Sequence, residues 1–291
     1  MEINNKSCIC LLTRIYFNDN TPSSTRYVQY DNIIKLIKTI NYEKYDIYVM
    51  VNLQNSSNTQ QIQKFHSYFH EVVPNITIIP FTYNDLMNLY PSSKSFKALS
   101  NKKYVGICNL PLFNLYEIYN NYKSYIFWED DLVSTFDNFI YDDIDDKYDI
   151  VLFGDIVHSP NWYWRKIQRR HLGKYERPNG ANQLYCTYRF SNQVLKNLIN
   201  IISKENIYGH HEDIYSSIID YWMEQNIYNV TSLDQLFGDK KQCSHDYNKL
   251  KPQLVEYYKI HKSYKNLIIH PIKTIEIYQR ILTDKNLNLS L

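Results

Sequence analysis

From residue 8 to residue 131, short apolar runs alternate with segments whose apolar residues recur at helical spacing, and few architectures accommodate that order. The runs "CICLLTRIYF" (8–17), "YDIYVMVNL" (45–53), "NITIIPF" (75–81) and "YIFWEDD" (125–131) read as buried strands. Between them, "TRYVQYDNIIKLIKTI" (25–40), "QQIQKFHSYFHEV" (60–72) and "VGICNLPLFNLYEIYNNY" (105–122) read as helices. The first of these sets Val28, Ile33, Ile34, Ile37 and Ile40 near one face. Strands separated by helices predict an α/β fold with a mostly parallel central sheet covered on both faces. In such sheets ligands bind at the carboxyl ends of strands, where the strand order reverses.

The second half is less regular. "YDIVLFGD" (148–155) and "LYCTYRF" (184–190) read as strands, and "NWYWRKIQRRHLGKYERPNGANQ" (161–183) as a long loop without periodicity. Ser191 is placed to cap a helix carrying Val194, Leu195, Leu198, Ile201 and Ile202. "HHEDIYSSIIDYWMEQ" (210–225) forms another helix with Ile214, Tyr215, Ile218, Ile219 and Trp222 on one face. The tail "NLIIHPIKTIEIYQRIL" (266–282) predicts a short strand, a turn at Pro271 and a closing helix. The acidic stretch "YDDIDDKYD" (141–149) predicts a surface loop.

A net charge of +2 argues against a broad surface for nucleic acid. Five scattered cysteines form neither a disulfide framework nor a zinc pattern, and point to a reducing, cytoplasmic setting. The N-terminus has no apolar signal core, and no apolar run reaches the roughly 18 residues of a transmembrane helix. Heavy use of Asn, Ile, Lys and Tyr, with 29 Tyr against 6 Gly, suggests an AT-rich genome, such as that of some parasites or large DNA viruses.

The run "SYIFWEDDLVST" (124–135) drives an apolar strand into three consecutive carboxylates, Glu129, Asp130 and Asp131. Like charges so close repel unless a cation joins them or water screens them. Side chains alternate along extended backbone, so Glu129 and Asp131 face one way and Asp130 the other. Two readings stand: a divalent-cation site, since hard cations take oxygen ligands and share them with phosphates, or a solvated turn.

In element order and in this triplet the chain resembles the GT-A class of glycosyltransferases, which use nucleotide sugars and carry a D-x-D signature after the fourth strand of a Rossmann-like half. Glu129-Asp130-Asp131 matches that signature, with Glu in place of the first Asp. The resemblance implies that Asp131 contacts a manganese or magnesium ion bridging the diphosphate, with Glu129 beside it on the metal, its water or the ribose. It implies a nucleotide-sugar-binding half (1–135) and an acceptor-binding half (136–291) of one domain, taking a UDP- or GDP-sugar and a glycan or other hydroxyl acceptor.

The resemblance extends to further residues. Thr13 and Arg14 end the first strand, where the class contacts nucleobase and ribose; the alternative is a surface Arg. Asn109 lies in a segment like the one beneath the nucleotide. Lys94 and Lys97 either meet the diphosphate or are solvated. Glu212 and Asp213 open a predicted helix, where a helix N-terminus favours negative charge. The class places a Glu-Asp pair there, which implies Asp213 as general base and Glu212 as acceptor ligand. His210 and His211 are acceptor contacts or ordinary polar residues. His270 matches a C-terminal metal ligand of the class, with Lys273 near the diphosphate and His245 as the rival. By their own chemistry, aromatic faces with basic groups between them, Trp162, Tyr163, Trp164, Arg165, Lys166, Arg169 and Arg170 suit a lid over acceptor or donor, an inert loop, or contact with single-stranded nucleic acid. Two other classes compete: a metal-dependent nucleotidyl or phosphoryl transferase, and a non-catalytic carbohydrate- or protein-binding module.

Overall fold

The computed structural model describes residues 4–14, 27–53, 59–82, 85, 88–90, 110–162, 170–205, 207–238, 241–243, 247–272 and 281. Its first half alternates as the periodicity predicts. Strand β1 (Ser7–Arg14) is followed by helix α1 (Tyr27–Thr39), β2 (Tyr45–Asn52), α2 (Thr59–Val72), β3 (Thr77–Phe81), α3 (Leu110–Ile118) and β4 (Ser124–Glu129). The second half comprises β5 (Val133–Ser134), β6 (Ile150–Leu152), β7 (Thr187–Ser191), α4 (Asn192–Lys204), α5 (His211–Glu224), β8 (Val230–Ser232), α6 (Leu233–Phe237), β9 (Lys241–Cys243), α7 (Tyr247–His261) and β10 (Ile268–His270).

Seven strands form the central sheet in the order β3-β2-β1-β4-β7-β6-β8. It is mostly parallel; β7 alone runs against its neighbours, pairing antiparallel with both β4 and β6. The chain lays β1, β2 and β3 in one direction and then returns to place β4 on the other side of β1. The order therefore reverses between β1 and β4, and both strands run parallel to a common carboxyl edge. Strand alternation divides the core between the two faces. Cys8, Cys10, Tyr125 and Phe127 pack toward α3, α4 and α5, whereas Ile9, Leu11, Ile126 and Trp128 pack toward α1 and α2.

A second, three-stranded sheet (β5-β10-β9) positions the site. Strand β5 begins two residues after Asp131 and pairs antiparallel with β10, Val133 opposite Ile269. This register carries the end of β10 back along the turn that follows β4, and Ile272 N–H donates to the Asp131 carbonyl at 2.8 Å.

Three expectations change in detail. The acidic stretch 141–149 does not simply loop outward: Ile140–Asp143 forms a 3-10 turn, Tyr141 and Ile144 are buried, and Arg189 donates to the carbonyls of Ile144, Asp145 and Tyr148. The acidic side chains stay at the surface because the apolar residues between them enter the core. Strand β4 stops at Glu129, and Asp130 and Asp131 lie in a turn. The short elements β5, β8, α6 and β9 and the helix α7 were not expected. As predicted, Ser191 caps α4, its hydroxyl accepting from Val194 N–H. The His270–Pro271 peptide is cis.

Candidate functional site

At the reversal point, β1 and β4 deliver their last residues side by side. Leu12 is in register with Glu129, so Thr13 falls beside Asp130, and the Thr13 hydroxyl donates to Asp130 Oδ2 at 2.9 Å. Asp130 thus turns toward β1. Glu129 and Asp131 turn the other way, toward β10: His270 Nε2 lies 3.2 Å from Asp131 Oδ1 and 3.6 Å from Glu129 Oε2. The alternation expected of the triplet survives into the turn. Backbone placement is supplied by Asn32 on α1, a residue that sequence reasoning missed. Its side-chain amide donates to the carbonyls of Asp130 (3.0 Å) and Leu132 (2.7 Å), and Trp128 Nε1–H also reaches Leu132 O.

His270 is buried, with Cys186 Sγ 3.2 Å from its other ring nitrogen, Nδ1. Burial alone would lower the imidazole pKa, but Cys186 and Asp131 act against it, and the balance lies well above the ordinary histidine value. Burial pushes the Cys186 thiol up to about 12, so at neutral pH it is uncharged. Asp131, the charged neighbour, therefore provides the lasting attraction. Glu129 and Asp131 thus each bring a carboxylate oxygen to His270 Nε2, and carboxylate oxygens beside an imidazole nitrogen that has given up its proton suit a divalent cation. Glu129, Cys186 and His270 also place three ligand atoms within 4.8 Å of one another.

The second cluster opens α5. Its N-cap is His210, whose Nδ1 accepts from Glu212 N–H at 3.2 Å, and Glu212 and Asp213 lie in the first turn, where the helix N-terminus favours negative charge. Asp213 is not held ionised in an open cleft, as the helix-dipole reading supposed. Its side chain is 1% exposed and accepts from Arg170 Nη1 at 2.8 Å. Burial raises its pKa to about 6 even though Arg170 pulls the other way. Glu212 is also buried and accepts from Trp162 Nε1–H at 3.0 Å. The same helix face continues to Asp220, which meets His158 (3.2 Å) and Arg177 (2.8 Å). Trp162, Arg170 and Arg177 therefore meet the acidic face of α5. His210 and His211 are neutral rings: burial lowers both, His211 to about 3 and His210 further. With Glu212 they form a second possible ligand group, although His210 Nδ1 is already the helix cap.

Tyr185 joins the two clusters. Its hydroxyl lies 3.2 Å from Ser216 Oγ on α5, and the next residue is Cys186, against His270. Of the remaining expected residues, the Arg14 side chain, Asn109, Lys273, Lys94, Lys97, His245 and residues 163–169 lie outside the described residues. A cavity of about 530 Å³ opens at the opposite, amino edge of the strands, lined by Lys6, Lys44, Lys123 and Asp142–Asp146. Its lysines are paired with Asp46, Asp142 and Asp146.

No protein-family profile matches the chain, and no curated protein sequence matches it. Solved structures align along much of the chain. Mouse xyloside xylosyltransferase 1 in its apo form aligns with 91% of this chain and 97% of its own, with a TM-score of 0.47 and 12% identity. A putative nucleotide-diphospho-sugar transferase from Desulfovibrio desulfuricans G20 aligns over 89% and 98%, with a TM-score of 0.39 and 9% identity. A glycosyltransferase involved in the glycosylation of the major capsid of PBCV-1 aligns over 95% and 99%, with a TM-score of 0.41 and 9% identity. At these scores the likeness is one of general chain path. Among the described residues no helix is long and apolar enough to cross a membrane.

Proposed function

We propose that this chain transfers a sugar from a nucleotide diphosphate sugar, of the UDP or GDP type, to a hydroxyl acceptor with the help of a divalent cation, manganese or magnesium. The observation that carries this reading is that Glu129 and Asp131 both face His270 Nε2 at the carboxyl edge of β1 and β4, where the strand order reverses. Glu129, Asp131 and His270 would hold the cation. When bound, it supplies Lewis-acid neutralisation of the charge that develops on the leaving diphosphate.

The chain's own residues do the rest. Thr13 and Asp130 form the wall that the ribose meets, with Arg14 and Asn109 assigned to the base and ribose side and Lys273 to the diphosphate. Asp213 takes the proton from the acceptor hydroxyl. A carboxylate of pKa about 6 is still mostly ionised at neutral pH and is a stronger base than an ordinary aspartate. Glu212 orients the acceptor, and Trp162 and Arg170, bonded to Glu212 and Asp213, flank both. Residues 1–135 form the nucleotide half and 136–291 the acceptor half. The free thiols of Cys8, Cys10, Cys186 and Cys243 support a reducing, cytoplasmic setting.

The test is a thermal-shift panel of nucleoside diphosphates and their sugars with and without Mn2+. A ligand that binds only the folded state raises the melting temperature by mass action. A rise that requires both Mn2+ and a nucleoside diphosphate supports the reading. The absence of any such rise overturns it, and turnover of nucleotides without sugar moves the site to nucleotidyl or phosphoryl transfer.

A further inference from the structure

Cys186 was not expected to take part in this site, yet β7 delivers it there. Strand β7 runs antiparallel to β4 with Thr187 opposite Trp128, and Glu129 N–H donates to the Cys186 carbonyl at 2.9 Å. Cys186 is therefore locked opposite the first carboxylate of the triplet. Its side chain is buried, and its sulfur lies 3.2 Å from His270 Nδ1. The two nitrogens of the His270 ring thus face different neighbours: Nδ1 faces Cys186, and Nε2 faces Asp131 and Glu129.

A neutral imidazole carries one N–H and one lone pair, and the partner of one nitrogen decides what the other can do. If Nδ1 accepts from the thiol, Nε2 keeps its hydrogen and cannot bind a cation. If Nδ1–H donates to the sulfur, Nε2 presents its lone pair toward Asp131 and Glu129. We propose that Cys186 is a positioning residue: its sulfur accepts the Nδ1–H of His270, fixes the ring and selects Nε2 as the nitrogen that meets the cation. This rests on the reading of Glu129, Asp131 and His270 as a cation site. Histidines that bind metals usually donate their other N–H to a carboxylate or carbonyl, and loss of such a partner typically costs about 10- to 100-fold in affinity. Here a thiol fills that place. It holds the ring in a dry pocket without adding a further negative charge beside three carboxylates.

The experiment measures Mn2+ affinity of the full chain, from the paramagnetic resonance of the free ion, for wild type, Cys186→Ala, Cys186→Ser, His270→Ala and the Cys186→Ala/His270→Ala pair. Loss of about 10- to 100-fold in Cys186→Ala, recovery toward wild type in Cys186→Ser, and no further loss when Cys186→Ala is added to His270→Ala support the proposal. Wild-type affinity in Cys186→Ala overturns it, as does an equal loss in the presence and absence of His270, which would mark a merely structural effect. The cation reading fails separately, and the proposal with it, if wild type binds no Mn2+ or His270→Ala binds as wild type does. Should Cys186→Ala not fold, nitrogen-15 resonances of His270 in the wild type loaded with Zn2+, used as a diamagnetic probe, decide the matter. Coordination at Nε2 with a hydrogen on Nδ1 supports the proposal, and coordination at Nδ1 overturns it.

Discussion

His270 Nε2 lies 3.2 Å from Asp131 Oδ1, although one residue closes β10 and the other follows β4. The small sheet makes the meeting possible: β5 leads away from Asp131 and β10 returns beside it. In the metal-free protein the imidazole partly offsets the repulsion among the carboxylates. The triplet is thus partly balanced from within the chain, and a cation would take the place of the imidazole's proton in that balance.

Asp131→Ala should therefore abolish the Mn2+-dependent rise in melting temperature produced by a nucleoside diphosphate. For wild type at a ligand concentration of about 100 times Kd, that stabilisation is about 2.7 kcal/mol. Relief of like-charge repulsion would by itself stabilise the metal-free variant, but Asp131 is also the partner of His270, so no net gain is expected. A variant that retains the full Mn2+-dependent rise would remove Asp131 from the site.

The pH dependence follows from the same pair. The folded-state pKa of His270 is raised, so its pairing stabilises the metal-free protein fully below the unfolded value of about 6.5, and that contribution is lost as pH rises through the folded value. A cation at Nε2 competes with this proton. Mn2+ affinity should therefore climb about tenfold per pH unit while His270 is protonated, continuing above pH 7. An imidazole of ordinary pKa would level off near 6.5. Calorimetric titration at several pH values checks this, and His270→Ala should flatten the slope.

The first half of the fold was legible because its signals are local: apolar runs and helical spacing repeat until "WEDD" interrupts them. The triplet and His270 could be singled out for the same reason, since each ends an apolar run in polar groups. What joins them was not legible. Strands β5 and β9 are two and three residues long, too short to show a period, and their pairing with β10 is a long-range choice. The environment of Asp213 was misjudged because a helix N-terminus says nothing about what covers it, and Arg170 approaches from a distant, aperiodic segment. Cys186 left no mark beyond an apolar residue in a strand. Asn32 did leave one: it lies one helical turn from both Val28 and Leu36, a polar residue on an apolar stripe.

That residue gives a further prediction. Asn32 donates to two carbonyls of the turn that carries Asp131. Asn32→Ala should lower stability by about 1–3 kcal/mol, the cost of taking a donor from two carbonyls of the turn, of which that of Leu132 keeps Trp128 Nε1–H. Mn2+ affinity should fall with it, since the turn loses its anchor on α1. Asn32→Leu fills the space without restoring donors and should behave like Asn32→Ala. If Asn32→Leu matches wild type in both melting temperature and Mn2+ affinity, packing rather than hydrogen bonding places the turn.

Asp213 can be tested as a base and as a buried charge in one variant. Asp213→Asn keeps the shape but cannot accept the proton. Transfer to an acceptor should fall by about 100-fold or more while the nucleotide sugar still binds, on the usual magnitude of general-base catalysis. Stability adds a second reading. The folded pKa, about 6, is above the ordinary 3.8. The protonated side chain is therefore favoured by the fold, and the stability it contributes is complete below about pH 3.8 and lost as pH rises through about 6. Two pKa units correspond to about 3 kcal/mol, so wild type should lose about that much relative to Asp213→Asn between pH 4 and pH 7. Arg170 stays paired with Glu176 in the variant, which limits any cost from its lost partner. Parallel denaturant titrations of both proteins across that range measure the difference. A constant difference would place Asp213 outside the buried pocket described for it, and undiminished transfer would pass the role of base to Glu212.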